Sequence, residues 1–517
     1  MPKVTIDGRT IEVPDGANLV RAAELADIEI PHYCYHPGLT VAGNCRMCLV
    51  DIRAMSAKQA TPLPKLQIAC NTVVQDGMVV EASNEKVQQA RKAVLEFLLI
   101  NHPIDCPICD QAGECKLQEY YMDYGRYQSR VQLEQKVHKG KVIPIGADIM
   151  LDQERCILCT RCVRFLDEFT ETHEFTITER GDHCELTLAQ GATVDNPYSV
   201  NVVDICPVGA LTSREFRFQA RVWYLDEAKS ICAGCATGCN IDVHYRGDEI
   251  YRLKPRLNPD VNGYWMCDEG RRTYRGNRAP ERLRSSLTRE ASGFLDLDAD
   301  AVAERAAASL HAARKPAVVA SADLTMEEGF LVSEILERIG GGERIVISPA
   351  VSLIPGDDKL ISTDRHPNRR GLLALGFREA AKPAADIDAA IVVRCDPVSA
   401  DPAWAVLFEG LAATIVVSER VDETTGYADH VLGVATHFES SGSFMNRAGR
   451  MQHFEPAVAP PGRAVEGWRA LADVLAALGG PRHESVESVL AALLARLTSR
   501  EGLGSQWLGA FGRDLTT

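Results

Sequence analysis

The cysteines constrain this chain more than any other feature of its sequence. Sixteen of the seventeen lie between Cys34 and Cys267, and residues 268–517 contain only Cys395. The N-terminus shows no signal-peptide pattern, so we expect a cytoplasmic or matrix-like compartment. In such a compartment cysteines bind metal more often than they form disulfides. We therefore expect metal centres in the first half, and a second half that is stabilised by burial alone.

The first ligand set is Cys34, Cys45, Cys48 and Cys70. Its spacing, Cys-x10-Cys-x2-Cys-x21-Cys, is similar to that of plant-type [2Fe–2S] ferredoxins, although their first interval is shorter. A four-cysteine zinc site is the alternative, but such a long first loop is poor spacing for a zinc ribbon. The first set therefore predicts a [2Fe–2S] cluster.

The second ligand set contains three closely spaced cysteines, Cys106, Cys109 and Cys115. Three thiolates leave one iron of a [4Fe–4S] cluster without a protein ligand. A lone histidine is usually a surface or capping residue, but the missing cysteine favours His102, just upstream, as an imidazole ligand. A neutral imidazole in place of a thiolate should raise the reduction potential, as it does in Rieske centres.

The third ligand set begins with Cys156, Cys159 and Cys162, the start of a bacterial ferredoxin motif. Leu166 stands where the fourth cysteine of that motif is expected, and Cys206, followed by proline, matches the end of a second motif. In two-cluster ferredoxins the cysteine before proline ligates the cluster of the other motif. That rule assigns Cys206 to the third set and predicts that only one [4Fe–4S] cluster of the pair is retained.

The fourth ligand set has the spacing Cys-x2-Cys-x3-Cys-x27-Cys. Four thiols predict a third [4Fe–4S] cluster, and a zinc site is the alternative. The members of this set are Cys232, Cys235, Cys239 and Cys267. The two remaining cysteines, Cys184 and Cys395, are expected to be buried small apolar side chains.

Composition limits the possible partners of the chain. The net charge is −15, so the surface as a whole repels nucleic acid and anionic lipid and is better suited to protein partners. No window of eighteen apolar residues occurs, so we expect contact with a membrane only through a larger assembly. No Gly-x-Gly-x-x-Gly fingerprint follows a strand, and no phosphate-binding loop is present, so no flavin or NAD site is expected.

The sequence also predicts local structure. Residues 3–13 predict two short strands around an Asp7-Gly8 turn. Residues 18–26 and 85–100 have helical spacing of apolar side chains. Beyond residue 290, alanine-rich helices alternate with short apolar runs, which indicates an α/β domain with a parallel sheet. These runs are residues 317–320, 345–347, 390–393 and 414–417.

Taken in order, the four sets resemble the large iron–sulfur (G-type) subunit of respiratory complex I, the proton-pumping NADH:quinone oxidoreductase. The resemblance is specific over residues 1–290 and weaker beyond, where it rests on residues 442–452 and the Pro460-Pro461-Gly462 turn. The matching segments of the first part are residues 33–36 with 41–48, 101–110 with 113–115, and 155–162.

The resemblance implies an electron-transfer subunit without substrate chemistry of its own. One [2Fe–2S] and three [4Fe–4S] clusters would pass single electrons from a flavin- and NADH-binding partner subunit toward quinone, and the whole complex would translocate protons. Other hydrophilic complex I subunits are the further partners implied. The expected location is the cytoplasmic face of a bacterial inner membrane, or the matrix side in a mitochondrion. We expect the fourth cluster to lie off the main electron path.

The resemblance also implies a multidomain α+β and α/β fold. Its expected domains are a β-grasp [2Fe–2S] ferredoxin-like domain (1–84), a His(Cys)3-ligated [4Fe–4S] domain (85–125), a [4Fe–4S] ferredoxin-like domain with one cluster retained (126–222), a [4Fe–4S] domain of the Mo/W bis-MGD type (225–281) and a degenerate molybdopterin-oxidoreductase-like α/β domain (282–517).

The last two domains resemble molybdopterin oxidoreductases such as formate dehydrogenase, with two departures. Those enzymes usually carry Cys-x-Lys-Gly at the last cluster ligand, whereas this chain has Glu269 in place of the lysine. No cysteine stands at a plausible molybdenum-ligand position; a serine or aspartate ligand stays open, but the domain also looks short. We therefore expect no molybdenum.

Two other functions stay open. One is the iron–sulfur subunit of an NAD-linked formate dehydrogenase or hydrogenase, although a hydrogenase would need more cysteines after Cys267 than Cys395 alone. The other is a zinc-stapled assembly scaffold, which iron and sulfide analysis would distinguish.

Overall fold

The computed structural model describes residues 1–349, 351–353, 355–384 and 386–515. The chain divides into two compact units, residues 1–224 and 225–517. All sixteen proposed cluster ligands lie within the described residues, the first three sets in unit 1 and the fourth set in unit 2.

Unit 1 begins with a five-stranded mixed sheet in the order β2-β1-β5-β3-β4, in which β1 and β5 are parallel. Asp7 and Gly8, between the first two strands, have φ angles of 45° and 83°, the left-handed conformation of a tight hairpin turn. This confirms the predicted strand pair. The strands are β1 (Lys3–Ile6), β2 (Arg9–Glu12), β3 (Leu49–Ala54), β4 (Gln67–Ile68) and β5 (Met78–Glu81).

The predicted helices of unit 1 are both present. The side chain of Asn18 caps the first and that of Asn84 caps the second, accepting from the amide of Val87 at 2.9 Å. The second helix buries Val87 and Leu95 on one face. The helices of unit 1 are α1 (Leu19–Leu25), α2 (Glu85–Leu99), α3 (Lys116–Tyr124), α4 (Arg161–Glu168) and α5 (Asn201–Ile205).

The rest of unit 1 is built from short strands. One small sheet has the order β10-β7-β6, and a separate two-stranded ribbon pairs β8 with β9. Between these strands run the loops that carry the third ligand set. The strands are β6 (Ile143–Pro144), β7 (Ile149–Leu151), β8 (Phe175–Thr178), β9 (Glu185–Leu188) and β10 (Leu211–Ser213).

Unit 2 opens with an antiparallel sheet in the order β11-β12-β13. Its first hairpin loop, residues 232–239, contains three ligands of the fourth set. A 3₁₀ segment, Gly270–Arg278, follows the fourth ligand. The strands are β11 (Asp226–Ile231), β12 (Asn240–Arg246) and β13 (Glu249–Pro255).

The main element of unit 2 is an eight-stranded sheet in the order β15-β14-β21-β20-β19-β16-β17-β18. The six strands from β16 to β21 are parallel, which confirms the α/β prediction. The strands are β14 (Ser286–Glu290), β15 (Gly293–Leu297), β16 (Pro316–Ala320), β17 (Glu343–Val346), β18 (Arg378–Glu379), β19 (Ala389–Val393), β20 (Ala413–Ser418) and β21 (His430–Gly433).

Helices cover both faces of this sheet. Along β19, Ile391 and Val393 face a core that contains residues of α6, α7, α11 and α12, whereas Val392 faces a second core with Trp404 and Phe408 of α10. A strand buried on both faces explains its continuous apolar sequence. The helices of unit 2 are α6 (Ala299–Leu310), α7 (Met326–Arg338), α8 (Arg369–Ala374), α9 (Pro397–Ala400), α10 (Ala403–Glu409), α11 (Gly467–Ala477), α12 (Val486–Thr498) and α13 (Ser505–Leu508).

A last three-stranded sheet completes unit 2. It has the order β22-β23-β24, with strands β22 (Gly442–Met445), β23 (Arg450–Phe454) and β24 (Arg513–Asp514). Across the described part of the chain, no helix combines the length and the apolar character that crossing a membrane requires.

Candidate metal centres

The first ligand set lies beside the N-terminal sheet. Cys34, Cys48 and Cys70 are buried, and Cys45 is partly buried. Thiol–thiol hydrogen bonds from Cys45 and Cys70 hold the pKa of Cys34 far below its usual range. The amides of Asn44 and Cys45 act in the same direction, so this group of thiols readily carries a thiolate.

The second ligand set lies between the end of α2 and the start of α3. The ligand Cys115 is the residue directly before α3, and the amides of Leu117 and Gln118 in its first turn stabilise the thiolate form. Cys106 and Cys115, with His102, line one cavity of about 420 Å³. Cys109, the remaining member of the set, is not among the residues that line this cavity.

The imidazole of His102 fits the role of fourth ligand. Its Nδ1 is buried and has no hydrogen-bond partner within the part of the chain that the structure describes. Burial lowers the pKa of His102 to about 4, so the ring is neutral near pH 7, the form that binds a metal. Lys136 donates to the carbonyl of His102 at 2.7 Å and to that of Leu99 at 2.8 Å, which fixes the chain where α2 ends.

The third ligand set surrounds one small cavity, which is lined by all four of its thiols. The backbone between them is wound tightly. Leu158 and Thr160 have φ angles of 52° and 62°, a left-handed conformation that costs a non-glycine residue about 1–3 kcal/mol. The amide of Leu158 donates to Sγ of Cys156 at 3.4 Å. The strained backbone therefore belongs to the loop that directs an amide at the Cys156 sulfur. Cys206, the residue directly after α5, completes the lining of the cavity.

The fourth ligand set is buried as a whole. The amide of Gly234 donates to Sγ of Cys232 at 3.5 Å, and the amide of Gly270 donates to Sγ of Cys267 at 3.3 Å. A Cβ atom on Gly270 would lie 3.0 Å from the Cys232 sulfur and 3.3 Å from the Cys267 sulfur. Only glycine allows the backbone to pass between these two thiols without a shift.

Burial controls the protonation of most of these thiols. It raises the pKa of Cys115, Cys156 and Cys267 to about 11 and that of Cys206 to about 12. A buried thiol of this kind stays protonated near neutral pH unless a cation compensates the thiolate. The donor set of each site, thiols with at most one neutral imidazole, is the set that iron–sulfur clusters use. No three His, Cys, Asp or Glu side chains of the described residues converge as they would around a single metal ion.

The third ligand set contacts both other sets of unit 1. Asn44 Nδ2, beside Cys45, donates to the carbonyl of Leu158 at 3.2 Å. On the other side, the amide of Lys116, beside Cys115, donates to the carbonyl of Pro207 at 3.0 Å. The loops that carry the three sets are therefore in contact with one another within unit 1.

The expectation for the two unassigned cysteines is wrong in part. Both Cys184 and Cys395 are partly exposed instead of buried. Cys395 packs at the edge of the core that contains Val392, whereas the Cys184 sulfur lies 3.6 Å from the carbonyl of Glu179. Cys184 lies in a short loop at the end of the β8–β9 ribbon, where little chain is available to cover it.

Sequence reasoning missed the side chains that tie the ligand loops together. Gly209 packs so closely on Sγ of Cys109 that a Cβ atom would collide with it. The buried Arg155 pairs with Asp105, and each of the two directly precedes a ligand. Neither contact could be predicted from residue spacing, because the two residues of each pair are distant in sequence.

Five family descriptions match separate parts of the chain. They are the 2Fe-2S iron-sulfur cluster binding domain (residues 2–85), the NADH-ubiquinone oxidoreductase-G iron-sulfur binding region (91–130), the NADH-quinone oxidoreductase subunit 3, ferredoxin-like domain (146–212), the NADH-ubiquinone oxidoreductase NDSU1/NuoG-like, 4Fe-4S domain (225–275) and the molybdopterin oxidoreductase family (372–477). These matches confirm the predicted fold class.

Whole proteins are also similar. The G subunit of the NADH-quinone oxidoreductase of Rickettsia felis is 38% identical over 342 residues, which are 66% of this chain and 49% of that protein. The mitochondrial NADH-ubiquinone oxidoreductase 78 kDa subunit of Candida albicans is 42% identical over 296 residues, 56% of this chain and 39% of that protein. Among solved structures, an NAD+-reducing [NiFe]-hydrogenase in the H2-reduced state is 29% identical with a TM-score of 0.37, covering 43% of this chain and 91% of that chain.

The matched regions span half the length of these relatives or less. Within that span, the family descriptions that match around the second and fourth ligand sets both name this subunit of the oxidoreductase, and they follow one another in the expected order. The comparisons thus confirm the resemblance to the large iron–sulfur subunit, the G subunit, of NADH-quinone oxidoreductase.

Proposed function

We propose that this chain is an electron-transfer subunit of an NADH-quinone oxidoreductase. The observation that carries the proposal is the third ligand set, in which Cys206 meets three cysteines from a distant part of the chain around one cavity. The names of the relatives support the same function. We propose one [2Fe–2S] cluster at the first set and one [4Fe–4S] cluster at each of the other three. Clusters bound there would accept and donate single electrons.

The proposed ligands are the sixteen side chains of the four sets. For the [2Fe–2S] cluster they are Cys34, Cys45, Cys48 and Cys70. For the [4Fe–4S] clusters they are His102, Cys106, Cys109 and Cys115; Cys156, Cys159, Cys162 and Cys206; and Cys232, Cys235, Cys239 and Cys267. The protein buries these side chains wholly or in part and directs backbone amides at several sulfurs, which favours the added negative charge of a reduced cluster.

We propose that the first three sets, which lie together in unit 1, form the main electron path and that the fourth lies off it. NADH and flavin are proposed to bind a partner subunit, and quinone to be reached through other hydrophilic subunits of the complex, whose whole assembly translocates protons. We place the chain in the peripheral arm, on the cytoplasmic or matrix side of the membrane. The five expected domains, with boundaries near residues 84, 125, 222 and 281, are part of the proposal, and so is the absence of molybdenum, flavin and NAD sites.

Two variants of the assembled complex test this proposal. In Cys159→Ser the third set is incomplete, so NADH-to-quinone turnover should fall at least tenfold. In Cys235→Ser the fourth set, proposed to lie off the main path, is incomplete, and turnover should stay near that of the wild type. Cys184→Ser, outside all sets, is the matched control. A Cys159→Ser complex with full flavin content and unchanged turnover would contradict the proposed path.

A further inference from the structure

Helix α4 (Arg161–Glu168) carries two arginines that reach the loop of the first ligand set. Nη2 of Arg161 donates to the carbonyl of Tyr35, the residue after Cys34, and Nη1 donates to the carbonyl of Ile205, the residue before Cys206, at 3.1 Å. One guanidinium thus joins the backbone beside a first-set ligand to the backbone beside a third-set ligand.

Arg164, one turn further along the same helix, repeats this arrangement. Its Nη2 donates to the carbonyl of Cys34 at 2.5 Å and to that of Cys159 at 3.4 Å, and its Nη1 donates to the carbonyl of Thr40. Glu168, on the same face of the helix, accepts from the amide of Thr40 at 2.8 Å. The first ligand loop is therefore fastened to the helix that begins within the third ligand loop.

Neither arginine forms an ion pair with a carboxylate in the described part of the chain, and Nε of Arg161 is buried without a hydrogen-bond partner. A buried cation without a counter-charge is costly. The thiols near Arg161 are Cys34, Cys159 and Cys206. Negative charge at the two ligand sets is thus what would balance these guanidinium groups.

We propose that Arg161 and Arg164 are positioning residues that hold the first and third cluster sites together and raise the reduction potentials of both. The inference rests on the proposed ligand sets. Reduction adds one negative charge to a centre, and a fixed cation beside it stabilises that charge more in a buried site than in water. Because the pair contacts both loops, its charge acts on two centres at once. The second set contacts the third through other residues, so the reduction potential of its centre should not depend on Arg161 and Arg164.

The test is a redox titration followed by EPR on the full chain, purified anaerobically. The variants are Arg161→Gln, Arg164→Gln, Arg161→Lys and Arg164→Lys. Arg21→Gln is the control, because Arg21 is exposed and pairs with Glu24. In each Gln variant the ratio of reduced to oxidised centre should be about tenfold lower for the first and third centres at the wild-type midpoint, a shift of about 59 mV for one electron. The centre at the second set should not shift.

The Lys variants separate charge from geometry. Lysine keeps the positive charge but cannot make the forked contacts of a guanidinium. The potentials should therefore return toward wild type, while the magnetic interaction between the first and third centres weakens as the loops loosen. If the Gln variants bind too little iron, the Lys variants alone decide, and a downward shift of about 59 mV in them overturns the inference. Unchanged potentials in iron-replete Gln variants overturn it as well. A wild-type chain without cluster signals would instead contradict the proposed function.

Discussion

Nη2 of Arg155 lies 2.7 Å from Oδ2 of Asp105, and this ion pair joins the third ligand loop to the second. Arg155 directly precedes Cys156, and Asp105 directly precedes Cys106. The two side chains are 5% and 19% exposed, so the pair is largely shielded from water. This buried contact is one of those that join two proposed cluster sites distant in the sequence.

Removal of this pair should destabilise unit 1. In Asp105→Asn the buried Arg155 loses its closest carboxylate, which costs about 3 kcal/mol for a buried pair. The free energy of unfolding from urea denaturation measures the change, with Asp15→Asn, at an exposed carboxylate, as the control. An equal loss in the two variants would contradict the role given to the pair.

The same pair predicts a dependence on acid. Burial alone would raise the pKa of Asp105, but the hydrogen bond and charge of Arg155, with Lys141, lower it overall. The contribution of Asp105 to stability is then complete above the usual range of a carboxyl and is lost as pH falls through the lowered folded-state pKa. Between about pH 5 and pH 3 the wild-type chain should lose more stability than Asp105→Asn. If the free energies of unfolding of the two proteins fall equally over this pH range, Asp105 does not cause the acid dependence.

Replacement of the imidazole ligand should lower a reduction potential. In His102→Cys a thiolate takes the place of a neutral ring, which adds negative charge to the second centre. The midpoint potential of that centre, measured by EPR, should fall, while the centre at the third set keeps its own. His138→Cys is the control, because His138 is 79% exposed. If His102→Cys leaves every midpoint unchanged, His102 is not a ligand.

The assignment of Cys206 can be tested by counting iron. Four sets of the proposed types hold about fourteen iron atoms per chain, and loss of one [4Fe–4S] cluster leaves about ten. Cys206→Ser should therefore lose about four iron atoms along with the EPR signal of the third centre. Cys184→Ser should lose none. Full iron content in Cys206→Ser would reassign this cysteine.

Gly270 should resist replacement by any residue with a side chain. A Cβ atom there would lie 3.0 Å from the Cys232 sulfur, so Gly270→Ala should displace a ligand and cost the fourth set about four iron atoms. Gly276, in the same 3₁₀ segment, has no atom within 4 Å of its Cβ position, and Gly276→Ala is the matched control. Equal iron content in the two variants would show that the loop can yield without loss of the cluster.

The ligand sets could be proposed from the sequence because thiols that share a cluster must lie close in space. Short intervals such as those around Cys159 bring thiols together in few ways, and all four thiols of that set line one cavity. Cys206 could be assigned only through the rule for paired ferredoxin motifs. The parallel sheet followed from apolar runs such as that of β19. The contacts of Arg155, Arg161 and Arg164 could not be predicted in this way. The local sequence around an arginine does not show whether its side chain is exposed to solvent or binds a carbonyl or carboxylate that is distant in the chain.

Iron and acid-labile sulfide analysis of the anaerobically purified full chain, combined with EPR, tests whether the four ligand sets hold iron–sulfur clusters. We expect about fourteen iron atoms and as many sulfides per chain, with one [2Fe–2S] and three [4Fe–4S] signals after reduction. A chain that contains zinc in place of iron, with little sulfide and no such signals, would contradict it.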